Sequence, residues 1–179
     1  MIRPTIPALL RITTPKQGAG HTQGGEPPRQ DMPRIPLAKP FWDEECEKAA
    51  LEALSSGRWV KGPQAKAFGE EFAKWCGAVT AVPCQSGSAA LWAAMRLLGI
   101  GPGDEVIVPG MTFIATATAV SLVGATPVFA DIEEDYWCIC PEDLEAKITA
   151  KTKAVIGVHI FGQPFSQRVK QICKKHDIA

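Results

Sequence analysis

The segment with the clearest chemical potential is Ser86-Gly87-Ser88, which lies between a short apolar run and a strongly helical stretch. If this turn leads directly into a helix, the free N–H groups and positive dipole end of that helix face outward. Such a helix start binds anions, and phosphate groups in particular. The glycine allows close backbone approach, and the two hydroxyls add donors. An ordinary capped helix is the alternative, because Ser is a favoured N-cap in any protein.

A second candidate is Phe113, which follows Thr112 in a loop after a predicted buried strand. An aromatic side chain at the carboxyl edge of a sheet can stack on a planar ring. It can also be one more core residue. The local sequence by itself favours core packing over stacking on a ligand. Neither segment has the glycine pattern of dinucleotide-binding folds or of P-loops, so a Rossmann-type oxidoreductase is not supported.

The cysteines do not indicate a metal site. Cys138-x-Cys140 lacks the C-x-x-C spacing, no second pair follows it, and the three His are scattered. We therefore expect Cys138 and Cys140 to flank a short strand as reduced thiols. The five Trp are mostly core or interface candidates.

Hydrophobic periodicity predicts strands and helices that alternate along the chain. The predicted helices cover residues 43–54, 64–75, 89–98, 112–123, 141–148 and 167–176, and the predicted strands cover 79–82, 105–109, 127–131 and 154–160. In the second helix, Ala67, Phe68, Phe72 and Trp75 fall on one face. This alternation predicts an α/β fold with a mostly parallel sheet covered by helices on both faces. Residues 177–179 are expected to form a turn leading into another strand.

Composition narrows the class of protein further. The chain has 179 residues, 46% of them hydrophobic, and 19 basic side chains against 19 acidic ones. Zero net charge gives no general argument for nucleic acid as a partner, and no apolar run approaches the ~20 residues that span a bilayer. We expect a soluble cytoplasmic protein.

Residues 1–40 have six basic and two acidic side chains and eight of the prolines, a composition typical of a linker or tail. A secretory signal is disfavoured because Pro7 interrupts the short apolar patch.

Six ordered segments resemble the DegT/DnrJ-type aminotransferases, which use pyridoxal 5'-phosphate (PLP) to aminate keto-sugars attached to nucleotides. The segments are GRWVKGP at 57–63, SGSAAL at 86–91, GIGPGDEVIVP at 99–109, TFIAT at 112–116, GATPV at 124–128 and VHIFGQP at 158–164. The resemblance covers about residues 36–179. It implies the aspartate-aminotransferase type of fold, with residues 41–179 as the N-terminal part of a three-layer α/β/α large domain.

The resemblance also implies roles for individual residues. Gly87, Ser88 and Ala89 would hold the PLP phosphate at the helix N-terminus, and Phe113 would stack on the pyridine ring. Ser88 keeps a hydroxyl where Thr is commoner in the family, whereas Gln85 stands where a smaller polar residue is usual. His159, in the family's Val-His-x-x-Gly pattern, would either orient substrate or cofactor or merely cap its strand. Trp59 lies in a segment that resembles a substrate-side loop.

A PLP aminotransferase needs a Lys for the Schiff base and a carboxylate that keeps the pyridine nitrogen protonated. In the family both follow a helix resembling residues 167–176, and no motif in this sequence replaces them. We therefore expect an incomplete large domain that does not transaminate by itself. The alternative is a non-catalytic remnant, or a fragment that poisons dimers of a full-length relative. Some relatives replace the Lys and dehydrate sugars instead, so the two reaction types stay open.

The family also implies the partners. They are a nucleotide-linked keto-sugar, an amino-acid amino donor such as glutamate or glutamine, and a second subunit in a homodimer. The pathways that the family implies are polysaccharide and amino-sugar biosynthesis. Neither nucleic acid nor a membrane is expected as a partner. The sequence does not identify the sugar or the nucleotide.

Overall fold

A computed structural model describes residues 39–179. The predicted tail at residues 1–40 lies outside the described residues except for its last two positions. The chain divides after Lys48 into two units. In the first, Asp43 Oδ1 accepts a hydrogen bond from the backbone N–H of Cys46 at 2.9 Å and thereby caps the first helix.

Three helices come first along the chain, and strands and helices alternate after them as expected. The helices are α1 (Glu44–Ser55), α2 (Pro63–Cys76), α3 (Gly87–Leu97), α4 (Ala115–Leu122), α5 (Pro141–Ala146) and α6 (Gln167–Lys175), and the strands are β1 (Glu105–Pro109), β2 (Thr126–Ala130) and β3 (Thr152–Val155). A short 3-10 turn covers Ile160–Gly162. None of the helices in the described part of the chain is both long and apolar enough to cross a membrane.

The three strands form a parallel sheet in the order β2-β1-β3. Ala179 continues the hydrogen bonding on the outer edge of β3, because its N–H donates to the Lys153 carbonyl at 3.1 Å and its carbonyl accepts from the Val155 N–H at 2.8 Å. The turn predicted at residues 177–179 therefore does lead into strand-like pairing.

Buried side chains of β1 alternate between two cores. Val106 and Val108 pack into a cluster with residues of α3 and α4, whereas Ile107 packs into a second cluster with residues of α5 and α6. All three side chains are fully buried. Helices thus cover both faces of the sheet, which confirms the predicted α/β/α layering.

The strand predicted at residues 79–82 is wrong. This segment is not assigned to a strand, and the side chains of Val79 and Val82 are 104% and 79% exposed. Among the described residues, no strand lies alongside it to accept its backbone hydrogen bonds. An apolar run without a ladder partner remains extended but does not become a strand.

The apolar face of α2 is solvent-exposed in this chain. Phe68, Phe72 and Trp75 contact one another through tilted rings, and Trp75 is 83% exposed. The buried residues of α2 are instead Gly69 and Ala73. The other Trp side chains are exposed as well, so the core alternative is wrong for these residues, and the interface alternative stays a prediction.

Two of the boundaries that differ from the sequence prediction affect residues of the candidate site. Helix α4 begins at Ala115 rather than at residue 112, because residues 112–114 form the turn that leads from β1. Strand β3 ends at Val155, so His159 lies in the following loop rather than at a strand end.

Candidate functional site

The N-terminus of α3 carries two backbone donors without partners. Ser86 is extended (φ −162°, ψ 160°) and acts as N-cap, with its Oγ accepting from the Ala89 N–H at 3.2 Å. Its carbonyl accepts from the Ala90 N–H at 3.1 Å. The N–H groups of Gly87 and Ser88 have no acceptor among the described residues. They are therefore the donors left free at the positive end of the helix.

A cavity of about 740 Å³ opens beside this helix end. Its walls come from α3, from the turn and first residues of α4, and from residues 156–161, and we call it the α3 cavity. Four of the sequence-predicted site residues lie on its wall, namely Gly87, Ser88, Phe113 and His159. Three separate segments thus converge at one edge of the sheet.

Phe113 is available to a ligand. Its side chain is 74% exposed and lies on the cavity wall, so the core-packing alternative is wrong for this residue. Its backbone carbonyl accepts from the Thr116 N–H at 3.0 Å, which fixes the turn that carries the ring. An exposed aromatic ring on an apolar wall suits stacking on a planar ligand.

His159 is held by the loop that follows it. Its Nδ1 accepts from the Phe165 N–H at 3.2 Å, and the two rings stack with centroids 4.6 Å apart. The neutral ring therefore carries its proton on Nε2. Gly157 makes this packing possible, because a side chain there would meet the Phe165 ring at 2.5 Å. His159 makes no hydrogen bond to β3 that would cap it, and its role toward a ligand stays a prediction.

Two predicted residues take other places. Ala89 has its N–H engaged by Ser86 and is not part of the cavity wall. Trp59 lines a separate cavity of about 330 Å³ beside the end of α1, where its Nε1–H donates to the Leu54 carbonyl at 3.0 Å. The structure therefore does not bring Trp59 together with the residues of the α3 cavity.

The wall of the α3 cavity carries few side chains that can be charged. Among the described residues, no Lys, Arg, Asp or Glu lies on its wall, and His159 is its one titratable group. The end of the α3 dipole therefore supplies the positive potential on this wall, and no carboxylate of the wall opposes an anion there. The described residues also contain no group of His, Cys, Asp and Glu that could hold a metal ion.

Three carboxylates of α5 have a lowered pKa and lie away from the cavity. The Arg168 guanidinium lowers the pKa of Glu142, and Lys175 together with His176 lowers that of Glu145. The pKa of Asp143 is lowered by the hydrogen bond from the Asp131 N–H, with help from Lys147. Glu142 and Glu145 thus join α5 to α6, whereas Asp143 joins α5 to the residue that follows β2, and none of the three lines the α3 cavity.

The family assignment follows from comparison with known proteins. Residues 40–179 match the DegT/DnrJ/EryC1/StrS aminotransferase family. The chain belongs to this family. Its similarity therefore extends over the whole described fold apart from Lys39.

Individual relatives show how much of a family member is present. The dTDP-3-amino-3,4,6-trideoxy-alpha-D-glucose transaminase of Streptomyces venezuelae is 40% identical over 84% of this chain and 41% of its own length. The GDP-perosamine synthase of Caulobacter vibrioides is 38% identical over 83% of this chain and 40% of its own length. The crystal structure of NtdA from Bacillus subtilis with bound cofactor PMP superposes with a TM-score of 0.70, at 31% identity, over 74% of this chain and 31% of that one. The chain thus spans about two fifths or less of the proteins it matches here.

Sequence reasoning missed two side chains of this family member's cavity. Thr116 is buried, with 4% of its surface exposed, and its Oγ1 lies 2.9 Å from Thr112 Oγ1 on the same wall. The i, i+4 spacing of two Thr residues at a helix start could have indicated this pair. Phe161 also lines the cavity, in a left-handed backbone conformation (φ 51°) that sequence patterns do not reveal.

Proposed function

We propose that this chain forms the cofactor-binding part of a PLP-dependent sugar aminotransferase. The N–H groups of Gly87 and Ser88 and the Ser88 hydroxyl would hold the phosphate, and Phe113 would stack on the pyridine ring. Ala89 completes the turn by donating to Ser86, which keeps the first turn of α3 closed around the phosphate.

The observation that carries this proposal is the pair of free N–H groups at the start of an 11-residue helix, opening into the α3 cavity. A phosphate there would gain hydrogen bonds and the helix dipole without facing a carboxylate. Family membership and the bound PMP of the Bacillus subtilis relative support the choice of a phosphorylated pyridine as the ligand.

The cofactor supplies a pyridine ring that takes up electrons from the reacting carbon. The residues of this chain contribute binding and orientation. The helix start anchors the phosphate, Phe113 fixes the ring plane, and His159 can offer its Nε2–H to a ligand in the cavity. No lysine of the described chain lies on the cavity wall, so we propose that the chain binds the cofactor without transferring an amino group by itself.

We further propose a nucleotide-linked keto-sugar as the substrate of the complete enzyme and an amino acid as its amino donor. The names of the Streptomyces venezuelae and Caulobacter vibrioides relatives support a nucleotide-linked sugar. A cytoplasmic location, a homodimeric assembly and the division between a tail at residues 1–40 and a large domain at 41–179 belong to the same proposal.

Binding of pyridoxamine 5'-phosphate (PMP) to the purified chain tests the proposal. PMP has no aldehyde and so does not react with surface lysines, and isothermal titration calorimetry can compare it with pyridoxamine, which lacks the phosphate. Loss of the phosphate should weaken binding at least about tenfold, because charge-assisted hydrogen bonds are lost. Equal affinity for both ligands, or no binding of PMP, would overturn the proposal.

Position 87 offers a matched pair of variants. Gly87→Pro removes one free N–H but suits the first helical position, and Ser86 already has the extended conformation required before Pro. Gly87→Ala keeps the N–H, and a Cβ at residue 87 meets nothing within 4 Å. G87P should weaken PMP binding about tenfold while G87A leaves it near wild type.

A further inference from the structure

The hydroxyl groups of Thr112 and Thr116 form a pair on the wall of the α3 cavity. Their Oγ1 atoms are 2.9 Å apart, and either can be the donor. Two hydroxyls carry two protons, and the bond between them uses one. Neither Oγ1 makes another hydrogen bond within the described part of the chain. One O–H donor is therefore left over at the cavity wall.

The other hydroxyls of α4 behave differently. Thr118 Oγ1 donates to the Ile114 carbonyl at 3.2 Å, and Ser121 Oγ donates to the Ala117 carbonyl at 3.4 Å. This bond to the carbonyl four residues earlier is the usual arrangement for Thr and Ser in a helix. Thr116 instead pairs with a side chain, although it is far more buried than Thr118. A buried hydroxyl that forgoes the local carbonyl retains a donor that a ligand can use.

The pair also surrounds the residue proposed to stack on the cofactor. Thr112 directly precedes Phe113, and the Thr116 N–H donates to the Phe113 carbonyl at 3.0 Å. The hydroxyl bond and this backbone bond close the same turn. Because Thr112, Phe113 and Thr116 all line the α3 cavity, a ligand stacked on Phe113 would share that cavity with the unused O–H donor.

We propose that the Thr112–Thr116 hydroxyl pair donates a hydrogen bond to an oxygen of the phosphorylated pyridine held in the α3 cavity. Two ligand oxygens could accept it, the ring hydroxyl oxygen or a phosphate oxygen. Thr116 is then a ligand-binding residue of this site, and Thr112 orients its hydroxyl. The inference rests on the proposed function.

The test is calorimetric titration with PMP of the wild-type chain and four variants. Thr116→Val keeps the shape of the side chain and removes the hydroxyl, so PMP should bind about tenfold more weakly. Thr112→Val should cause a smaller loss, because it removes the partner that orients Thr116. Thr116→Ser restores the hydroxyl and should restore wild-type affinity. Thr118→Val is the matched control on the same helix and should bind as the wild type does.

Repeating the titration with pyridoxamine distinguishes the two acceptors. If T116V weakens pyridoxamine binding by the same factor, the ring oxygen is the acceptor. If the effect disappears, the acceptor is on the phosphate. Either result supports the pair as a donor, and thermal melts of each variant show whether the fold is retained.

The possible failures are distinct. If the wild-type chain does not bind PMP, both the proposed function and this inference are overturned. If the wild type binds PMP and T116V binds it equally well, only the hydroxyl-pair inference falls. It also falls if T116S binds as weakly as T116V, because the loss would then come from packing. If T116V does not fold, T112V at its half-buried position decides the matter by the same criterion.

Discussion

The Ser86 Oγ accepts the hydrogen bond of the Ala89 backbone N–H at 3.2 Å, and this contact determines which amides at the start of α3 are free. With Ala89 engaged by the cap, the N–H groups of Gly87 and Ser88 are left facing the cavity. The cap therefore does two things at once. It stabilises the first turn, and it restricts the free N–H donors to two adjacent residues.

The hydrogen bond that caps α3 should contribute measurably to the free energy of unfolding. Ser86→Ala removes the acceptor of the Ala89 N–H and should lower the free energy of unfolding by about 1 kcal/mol in urea denaturation. Ser121→Ala, which removes an exposed hydroxyl from α4, serves as the control and should change it by less than about 0.5 kcal/mol. Equal effects of the two substitutions would contradict the capping role.

Phe113 should matter for binding and little for folding. Because its side chain is 74% exposed, Phe113→Ala should change the free energy of unfolding by less than about 0.5 kcal/mol. Loss of the stacking ring should weaken PMP binding about tenfold. Phe68→Ala on α2 removes another exposed ring outside the cavity and should leave PMP affinity unchanged. A large loss of stability in F113A would instead indicate that Phe113 packs in the core.

Two valines from apolar runs that both predict strands should differ in how much their truncation destabilises the chain. Val106 is fully buried in β1, whereas Val79 lies in the unpaired segment and is 104% exposed. Val106→Ala should lower the free energy of unfolding by about 2 kcal/mol or more, and Val79→Ala by less than about 0.5 kcal/mol. A comparable cost at both positions would show that residues 79–82 are packed after all.

The contact between α5 and α6 should depend on pH. Lys175 Nζ lies 2.7 Å from Glu145 Oε1, and His176 Nε2 lies 3.2 Å from the same oxygen, which lowers the pKa of Glu145 from its ordinary value of 4.5. A carboxyl with a lowered pKa in the folded state contributes stability above its ordinary pKa. That contribution is lost as the pH falls through the lowered value.

Thermal melts from neutral pH to below pH 4.5 would show this effect. Glu145→Gln should destabilise the chain at neutral pH and make its Tm less sensitive to acid than that of the wild type. Glu71→Gln on α2, where Glu71 makes no ion pair in the described chain, should leave the acid-induced drop in Tm unchanged. An identical pH profile for E145Q and the wild type would contradict the assignment.

Local sequence patterns predicted most elements of this fold. The Val-rich run of β1 matches its predicted bounds. Helix α3 ends before Gly99, whose φ of 71° lies in the left-handed region that favours glycine. The Ser86-Gly87-Ser88 turn into a helix was also predicted from sequence, and α3 does begin there with Ser86 as its N-cap, whereas phosphate binding at this turn stays a prediction.

The errors share a physical cause, which is that periodicity reports which residues are apolar but not what covers them. Residues 79–82 look like a strand, yet a strand exists only with a hydrogen-bonded neighbour. The same holds for Trp75 on α2, whose face is apolar but exposed. The engagement of the Ala89 N–H and the pairing of Thr116 with Thr112 depend on side-chain rotamers, which sequence patterns do not specify.

The central claim is that the N–H groups of Gly87 and Ser88 bind the phosphate of the cofactor. Its most direct test is amide NMR of the ¹⁵N-labelled chain during titration with PMP. We predict that the Gly87 and Ser88 amide protons shift downfield together and saturate at one PMP concentration, and that pyridoxamine does not reproduce these shifts. If the Gly87 and Ser88 signals stay in place while PMP shifts amides elsewhere, such as those beside Trp59, the account is contradicted.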